Sequence, residues 1–409
     1  MTGINTMTMK VPDGGGTEQV VADEQVPSFA NSAMDGYALR AADTEGTPAR
    51  LAIVGALMAG DGRRLEVVPG SAIRIMTGAP LPHGANAVCM VELTDTEGDV
   101  VVVHERLRPG TNVRQPGEDI ERGDEVLASG TVVTPAHIGV LASLGLETVR
   151  VHPRPRVGVL TTGDELVSSR GPLAAGKIRD SNRHSILALV RQAGTHAVDF
   201  GIVGDREDAV SDVFERAADH CDILLTTGGV SVGDVDVVRI VLDKVCGGSM
   251  RWVQVAVKPA KPLAFGRVAG SGLPVVGLPG NPVSAMVSFE LFGRPAIRQL
   301  AGHQVLQRAI FPARTQVDLR RRPDGKVHFV RASVTMTREG ELLVGSSGGQ
   351  ASHQLLAMAE ANCLVVLPDG NGACSGDRVD VMLLDSDGLG PVEERVGDLP
   401  PTDGTHGVG

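Results

Sequence analysis

Two rhythms of apolar residues run along the chain. From about 50 to 134, short β-rich runs such as Leu51-Ala-Ile-Val54, Ala87-Val-Cys-Met-Val91 and Val100-Val-Val-Val103 are separated by Asp-Gly, Pro-Gly and Glu-Gly pairs. That spacing predicts short strands in a small barrel or sandwich. Thr134-Pro135 predicts a short helix ending near Gly145, with Thr134 as N-cap and Pro135 in the first turn. Pro153-Arg-Pro155 marks a boundary, and the rhythm then changes. Strands are predicted at 157–160, 197–203, 222–226 and 274–278. Helices are predicted from Asp180 or Ser181 to Gly194, and over 206–219, 237–245 and 283–292. A β ribbon is expected at roughly 251–269. Strand alternating with helix implies a mostly parallel, doubly wound sheet. From about 305 to 385 the chain returns to hairpins, with turns at Pro323-Asp-Gly325 and Glu339-Gly340, which predicts a separate small β domain.

The ends differ from the middle. Residues 1–17 and 386–409 are polar and Gly-rich and read as a disordered N-terminus and tail. Between them the pattern divides into 18–154, 155–304 and 305–385. The 409 residues exceed one ordinary core, so several domains are expected. Glycine accounts for 52 of them, about 13% against roughly 7% on average, which implies many tight turns and close backbone approaches.

A formal net charge of −11 and only one Trp, one Tyr and eight Phe argue against nucleic acid as a partner. The five cysteines form no C-x-x-C pair, which argues against a disulfide framework or structural zinc. Neither a signal peptide nor an apolar run of membrane-spanning length is present, so a cytoplasmic protein off the membrane is expected.

In an open α/β sheet, ligands bind outside the carboxyl ends of the strands. Three loops are placed to leave such ends: Thr161-Thr-Gly-Asp-Glu165, Thr226-Thr-Gly-Gly-Val-Ser-Val-Gly-Asp-Val-Asp236 and Leu278-Pro-Gly-Asn-Pro282. Successive backbone N–H groups ahead of a helix form an anion nest. Acids beside it would repel an anion unless a divalent cation intervenes, and hard oxygen ligands suit Mg²⁺. For a single aspartate the better reading is a favourable charge at a helix N-terminus; two acid-bearing loops weaken that reading. Lys258-Pro-Ala-Lys261-Pro, expected on the β ribbon, suits an oxyanion, although a solvated lysine pair is the commoner case.

Two motifs compete. Gly171-Pro-Leu-Ala-Ala-Gly176-Lys177 nearly matches a P-loop, but Ile178 stands where Ser or Thr is needed and no strand precedes it. Gly229-Val-Ser231-Val-Gly233 matches a hydrolase nucleophile elbow, and His303, His328 or His353 could follow in triad order. Asp234 and Asp236 beside Ser231 would oppose an oxyanion intermediate.

Seven ordered stretches carry a resemblance: Asn31-Ser-Ala-Met-Asp-Gly-Tyr-Ala38, Ile75-Met-Thr-Gly-Ala-Pro80, Gly117-Glu-Asp-Ile120, Thr162-Gly-Asp-Glu-Leu166, Gly228-Gly-Val-Ser-Val-Gly233, Lys258-Pro-Ala-Lys-Pro262 and Leu278-Pro-Gly-Asn-Pro-Val-Ser284. From about 20 to 385 the chain resembles the molybdopterin molybdotransferases, which include the E-domain of gephyrin. The resemblance implies an α/β plus β fold: a central doubly wound α/β domain that binds molybdopterin, N-terminal elongated and β-barrel-like subdomains, and a C-terminal small β-barrel domain. It implies an elongated homodimer and a Mg²⁺-dependent insertion of molybdate into adenylylated molybdopterin, with release of AMP. The upstream adenylyltransferase is then a candidate partner.

By the same resemblance Asp35, Thr77 and Asp119 contribute to catalysis from the N-terminal region. Glu165 and Asp236 would act in catalysis and, with Asp205, hold the metal or the pyrophosphate side. Gly228, Gly229, Ser231, Lys258, Lys261, Pro279, Pro282, Arg331 and Ser352 would bind substrate. Three features depart from the family: its opening helical segment is replaced by the Gly-rich start, Gln254 stands where many members carry lysine, and Ala260 replaces a glycine. The alternatives are a non-catalytic molybdopterin-binding or scaffold paralog, and a serine hydrolase using Ser231. The transferase requires the acids, which a scaffold does not, and needs no nucleophilic serine, which the hydrolase does.

Overall fold

The computed structural model describes residues 19–168, 171–204, 206–229, 237–385 and 389. The chain divides into two units between Val151 and His152. In the N-terminal unit the apolar runs become β1 (Gly36–Leu39), β2 (Ala49–Leu57), β3 (Ser71–Ile75), β4 (Ala87–Met90), β5 (Thr94–Glu97) and β6 (Val100–Val103). They form one six-stranded sheet in the order β4-β1-β3-β2-β6-β5. Along β2, Ala49 and Leu51 point into the core while Arg50 and Ala52 face solvent, the period-2 pattern of a half-buried strand. Helix α1 (Pro135–Ser143) starts as its sequence predicts. The Thr134 hydroxyl accepts the N–H of His137, and the His137 ring returns to the Thr134 N–H.

Gly36, in the stretch Asn31–Ala38, is required on purely steric grounds. A Cβ on it would lie 1.8 Å from the carbonyl oxygen of Cys89 on the neighbouring strand. Backbone on an interior strand cannot yield, so Gly36→Ala is expected to cost about 3 kcal/mol. The urea midpoint of the purified variant checks this; an unchanged midpoint would mean the strands are not packed as described.

The second unit opens with β7 (Arg156–Thr162), α2 (Asn182–Gln192), β8 (His196–Val203), α3 (Glu207–His220), β9 (Ile223–Thr227) and α4 (Val237–Val245). It continues with β10 (Arg251–Gln254), β11 (Val257–Lys258), β12 (Pro262–Arg267), β13 (Pro274–Leu278), α5 (Pro282–Ser288) and α6 (Arg294–Leu300). The sheet order is β8-β7-β9-β13-β12-β10. The first four strands are parallel, and β12 and β10 are antiparallel additions. All five residues of β9 are buried, as expected for a parallel strand covered on both faces. Val213 and Phe214 of α3 pack with Leu242 of α4 in one core, whereas Ile186 of α2 packs with Ala285 of α5 and Ile297 of α6 in another. These two cores make the sheet doubly wound.

The last helix departs from the sequence expectation. It does not stop at Phe292 but runs on to Leu300 through a π-helical turn at Phe289–Gly293. Pro295 has no N–H to give, and its ring would crowd the carbonyl of Leu291, so the turn ahead of it widens.

The final hairpins are β14 (Ile310–Thr315), β15 (Val327–Met336), β16 (Leu342–Ser346), β17 (Cys363–Leu367) and β18 (Arg378–Leu383), with α7 (Leu355–Ala359) between β16 and β17. Their order β15-β16-β14-β18-β17 closes through a β15–β17 pairing into a five-stranded barrel. Strand β11 was expected on the α/β ribbon. Instead it pairs in parallel with β15, placing Lys258 opposite His328 on the barrel. Only β10 and β12 form the ribbon.

Candidate functional site

Strand β7 enters the middle of the sheet. The next strand, β8, is laid on one side of it and β9 on the other. The chain direction therefore switches between β7 and β9, and their carboxyl ends open the crevice where this architecture binds ligands. Thr161 and Thr227 face each other across that point, with hydroxyl oxygens 3.1 Å apart. Gly228 follows with φ at 91°, and a Cβ there would come within 2.5 Å of the Thr162 carbonyl oxygen. Its N–H reaches the carbonyl of Leu278 at 3.3 Å, tying the β9 loop to the end of β13. Gly229, with φ at 65°, continues the left-handed turn. On the far side, buried Pro279 and exposed Gly280 lead to Asn281 and Pro282 at the start of α5. Asn182 on α2 donates from Nδ2 to the Gly280 carbonyl at 2.7 Å, and its Oδ1 is buried without a partner.

The barrel adds the basic part. The Val283 N–H at the start of α5 donates to the carbonyl of Ser352 at 3.1 Å, so the barrel loop carrying Ser352 is joined to the end of the β13 crossover. Arg331 on β15 lies under that same loop and is 1% exposed. Its Nη2 donates to the carbonyls of Gly349 (2.5 Å) and Ala351 (3.2 Å). Its Nε and Nη1 are buried with no acceptor, as is the hydroxyl of Ser347 nearby in sequence. Burial lowers the Arg331 pKa from its ordinary value. A buried guanidinium with two idle donors is expensive unless an acceptor is supplied from outside. Lys258 and Lys261 are exposed, and their side chains make no ion pair or hydrogen bond among the described residues. Between them the buried Ala260 holds φ at 83°, a conformation natural to the glycine that the resemblance led one to expect.

In the N-terminal unit, Asp35 Oδ1 accepts two hydrogen bonds from Thr77, one from its N–H and one from its hydroxyl, both 2.7 Å. The Thr77 hydroxyl bond, then its backbone bond, lowers the Asp35 pKa, so this exposed carboxylate stays charged well into acid. Asp119 lies on a separate loop, anchored by its N–H to the Val26 carbonyl.

Three family models match the chain in order: the MoeA N-terminal region (domain I and II) over residues 16–145, the Probable molybdopterin binding domain over 158–299 and the MoeA C-terminal region (domain IV) over 312–384. The molybdopterin molybdenumtransferase of Haemophilus influenzae is 38% identical over 89% of this chain and 89% of its own length. The chain belongs to the MoeA family. The molybdopterin molybdenumtransferase 2 of Mycobacterium tuberculosis is 42% identical over 86% of this chain and 87% of its own length. The crystal structure of the molybdopterin biosynthesis moeA protein from Pyrococcus horikoshii OT3 superposes with a TM-score of 0.73 at 28% identity, covering 90% of this chain and 92% of that one.

Asp205, Ser231, Asp234 and Asp236 lie outside the described residues. Among the described residues no group of three His, Cys, Asp or Glu side chains is placed to hold a metal. Asp164 and Glu165 do supply hard oxygen donors at the carboxyl end of β7. The Glu165 carboxylate folds over Gly163, and an Asp164 oxygen lies beside Gly204 at the end of β8. The near-match to a P-loop is a different structure: Lys177 donates to the Asp164 carbonyl, and Ile178 pairs with Leu166 in a two-stranded ladder.

Sequence reasoning took Arg179-Asp-Ser-Asn-Arg183 only as a helix start and missed its support role. Arg183 bridges Asp180 at 2.9 Å and Asp199 at 2.5 Å, and fixes the turn of α2 from which Asn182 reaches Gly280. Five consecutive polar residues, at the start of a helix with an apolar face, were the available signal.

Proposed function

We propose that this chain is a molybdopterin molybdenumtransferase that inserts molybdate into adenylylated molybdopterin and releases AMP. One observation above all supports the reading: the unpartnered donors of buried Arg331, beneath a loop whose Ser352 is bonded to the start of α5. A buried guanidinium of this kind accepts an oxyanion and rejects uncharged ligands, which would leave its donors idle. Lys258 on the adjoining β11 adds an unpaired ammonium, and Lys261 follows three residues on. Gly228 and Gly229 keep the β9 loop clear of side chains so that backbone can approach a phosphate. Asp35, held by Thr77, acts from the N-terminal unit together with Asp119.

A Mg²⁺ ion held by Glu165, Asp205 and Asp236 would neutralise the pyrophosphate and polarise the bond that releases AMP. Around it, the backbone of the Gly-rich loop orients the pyrophosphate and the lysines hold the incoming oxyanion. Ser231 is a hydrogen-bond donor in this scheme, not a nucleophile. A cytoplasmic homodimer that receives its substrate from the upstream adenylyltransferase completes the proposal.

Incubation with adenylylated molybdopterin, molybdate and Mg²⁺ tests it, with AMP release as the readout. Release is expected to need all three and to stop on chelation. Full release after chelation in metal-free buffer would remove the metal from the scheme, and no release under any condition would remove the transferase. Lys258→Ala and Lys261→Ala are each expected to raise the molybdate requirement about ten- to a hundredfold, the worth of one charge-assisted contact. Binding of the adenylylated pterin should change less. Unchanged molybdate dependence in both variants would exclude the lysines from the oxyanion site.

A further inference from the structure

A second gathering of positive charge lies away from the β7–β9 crevice loops, along α6 and the segment that leads into the barrel. Glu290, in the π-helical turn, is 3% exposed. Arg308 occupies both of its oxygens, with Nε at 2.6 Å and Nη2 at 3.1 Å. Glu290 is thereby satisfied. Arg294, one turn further on, is left 3.9 Å from it, outside hydrogen-bond range, although its side chain is only 16% exposed. Its guanidinium makes no hydrogen bond among the described residues. Arg298 follows on the same face and spends only its Nε, on the carbonyl of Val305. His303 donates its backbone N–H to the Arg298 carbonyl, and the ring of His152 packs onto Gly302. The three guanidinium groups and the two imidazoles act on one another, and Glu290 is the carboxylate that Arg308 and Arg294 approach.

The formal balance is two positive charges in excess with both histidines neutral, in a chain whose total is −11. Arg50 meets Glu97 and Arg314 meets Glu341. Arg298 pairs with no acid among the described residues, and burial and then Arg308 lower its pKa. The mutual repulsion is visible at Arg294. Burial, then Arg308, brings its pKa down to about 10 against the pull of Glu290. Burial and the nearby Arg298, Arg294 and His152 likewise lower His303 and keep it neutral. Like charges collected in a half-buried place raise the free energy of the empty protein. An anion between them would relieve it.

We propose that Arg294 and Arg298, backed by His303, form an accessory binding site for a phosphate-sized oxyanion, separate from the site built around Arg331 and the lysines. Two guanidinium groups one helical turn apart offer forked donors to a tetrahedral oxyanion. Arg308 is not a ligand, because Glu290 takes its donors. The oxyanion is a phosphate, free in solution or carried by a nucleotide.

The test uses inorganic phosphate and calorimetry at constant ionic strength. The background is the Lys258→Gln, Lys261→Gln, Arg331→Met chain, in which the first site is disabled. One phosphate per chain is expected to bind. Adding Arg294→Gln and Arg298→Gln should weaken it at least about tenfold, and Arg298→Lys, which keeps the charge but loses the fork, should weaken it less than Arg298→Gln. Circular dichroism establishes that each variant is folded, and Arg308 is left intact to hold Glu290. Absence of phosphate binding in the background, or equal affinity with both arginines replaced, overturns the proposal. If phosphate does not bind but the Arg294→Gln, Arg298→Gln chain sediments as a smaller assembly, the anion is a carboxylate of a second copy and the phosphate site falls. None of these readouts depends on AMP release, so failure here and failure of the transferase reading are separate.

Discussion

Arg331→Met is expected to cut AMP release about a hundredfold or more, the scale found when one preorganised donor to a developing oxyanion is removed. The reason lies in the packing. Arg331 sits on an interior barrel strand, 1% exposed, with Nε and Nη1 unpartnered and only Nη2 used by the Ser352 loop. Methionine fills similar volume without the charge. Stability should move little, because removing an under-paired buried cation offsets the loss of two hydrogen bonds to carbonyls. The combination separates a binding role from a structural one. Lost turnover with a melting temperature near that of the unsubstituted chain supports the oxyanion role. Turnover within threefold of the parent would sink it, and Arg331→Lys should not rescue, since an ammonium cannot reproduce the fork.

Arg321→Ala should produce the largest loss of stability, about 3 kcal/mol or more. Arg321 is 4% exposed at the side chain and gathers the ends of three barrel segments. Its Nη1 donates to the carbonyls of Lys326, Leu367 and Pro368, and its Nη2 to Asp324 and Asp369. Removing it leaves those carbonyls without a donor and two carboxylates facing each other. Equilibrium urea unfolding of the parent and variant measures the difference. The stability of the parent chain should itself depend on pH. Burial raises the Asp324 pKa, but hydrogen bonds from His328 and Lys326 outweigh it and bring it down to about 2. A carboxylate depressed on folding stabilises the fold above its ordinary value and loses that contribution as pH falls through the folded value. The parent should therefore lose stability between pH 4 and pH 2, and replacing Asp324 by Asn should flatten that fall; an equal fall in the Asp324→Asn chain would exclude Asp324 as its source.

Several local features were legible before any coordinates. Thr134-Pro135 announces α1 because cap chemistry involves residues three apart. The alternation after Pro155 announces the doubly wound sheet because buried parallel strands and amphipathic helices have different apolar periods. The glycines after β9 announce a crowded, left-handed loop, and Gly228 meets the Thr162 carbonyl as such a loop requires. The expected strand ends are therefore the ones that meet at the switch between β7 and β9.

What the sequence by itself determined, then, is element type, the crevice loops and the chemistry available to them, because each depends on neighbours within a few positions. The tertiary structure alone decided which remote groups share a place. Lys258 leaves the ribbon for the barrel because β11 finds an open edge on β15, about seventy residues later in the chain. Arg331, ordinary in sequence, becomes a buried cation with idle donors because β15 pairs on both sides and the Ser352 loop closes over it. Arg321 collects carbonyls from separate turns, and Arg308 takes Glu290 away from Arg294. Strand pairing and burial of charge are set by contacts between distant segments, and local periodicity carries no record of which segments will meet.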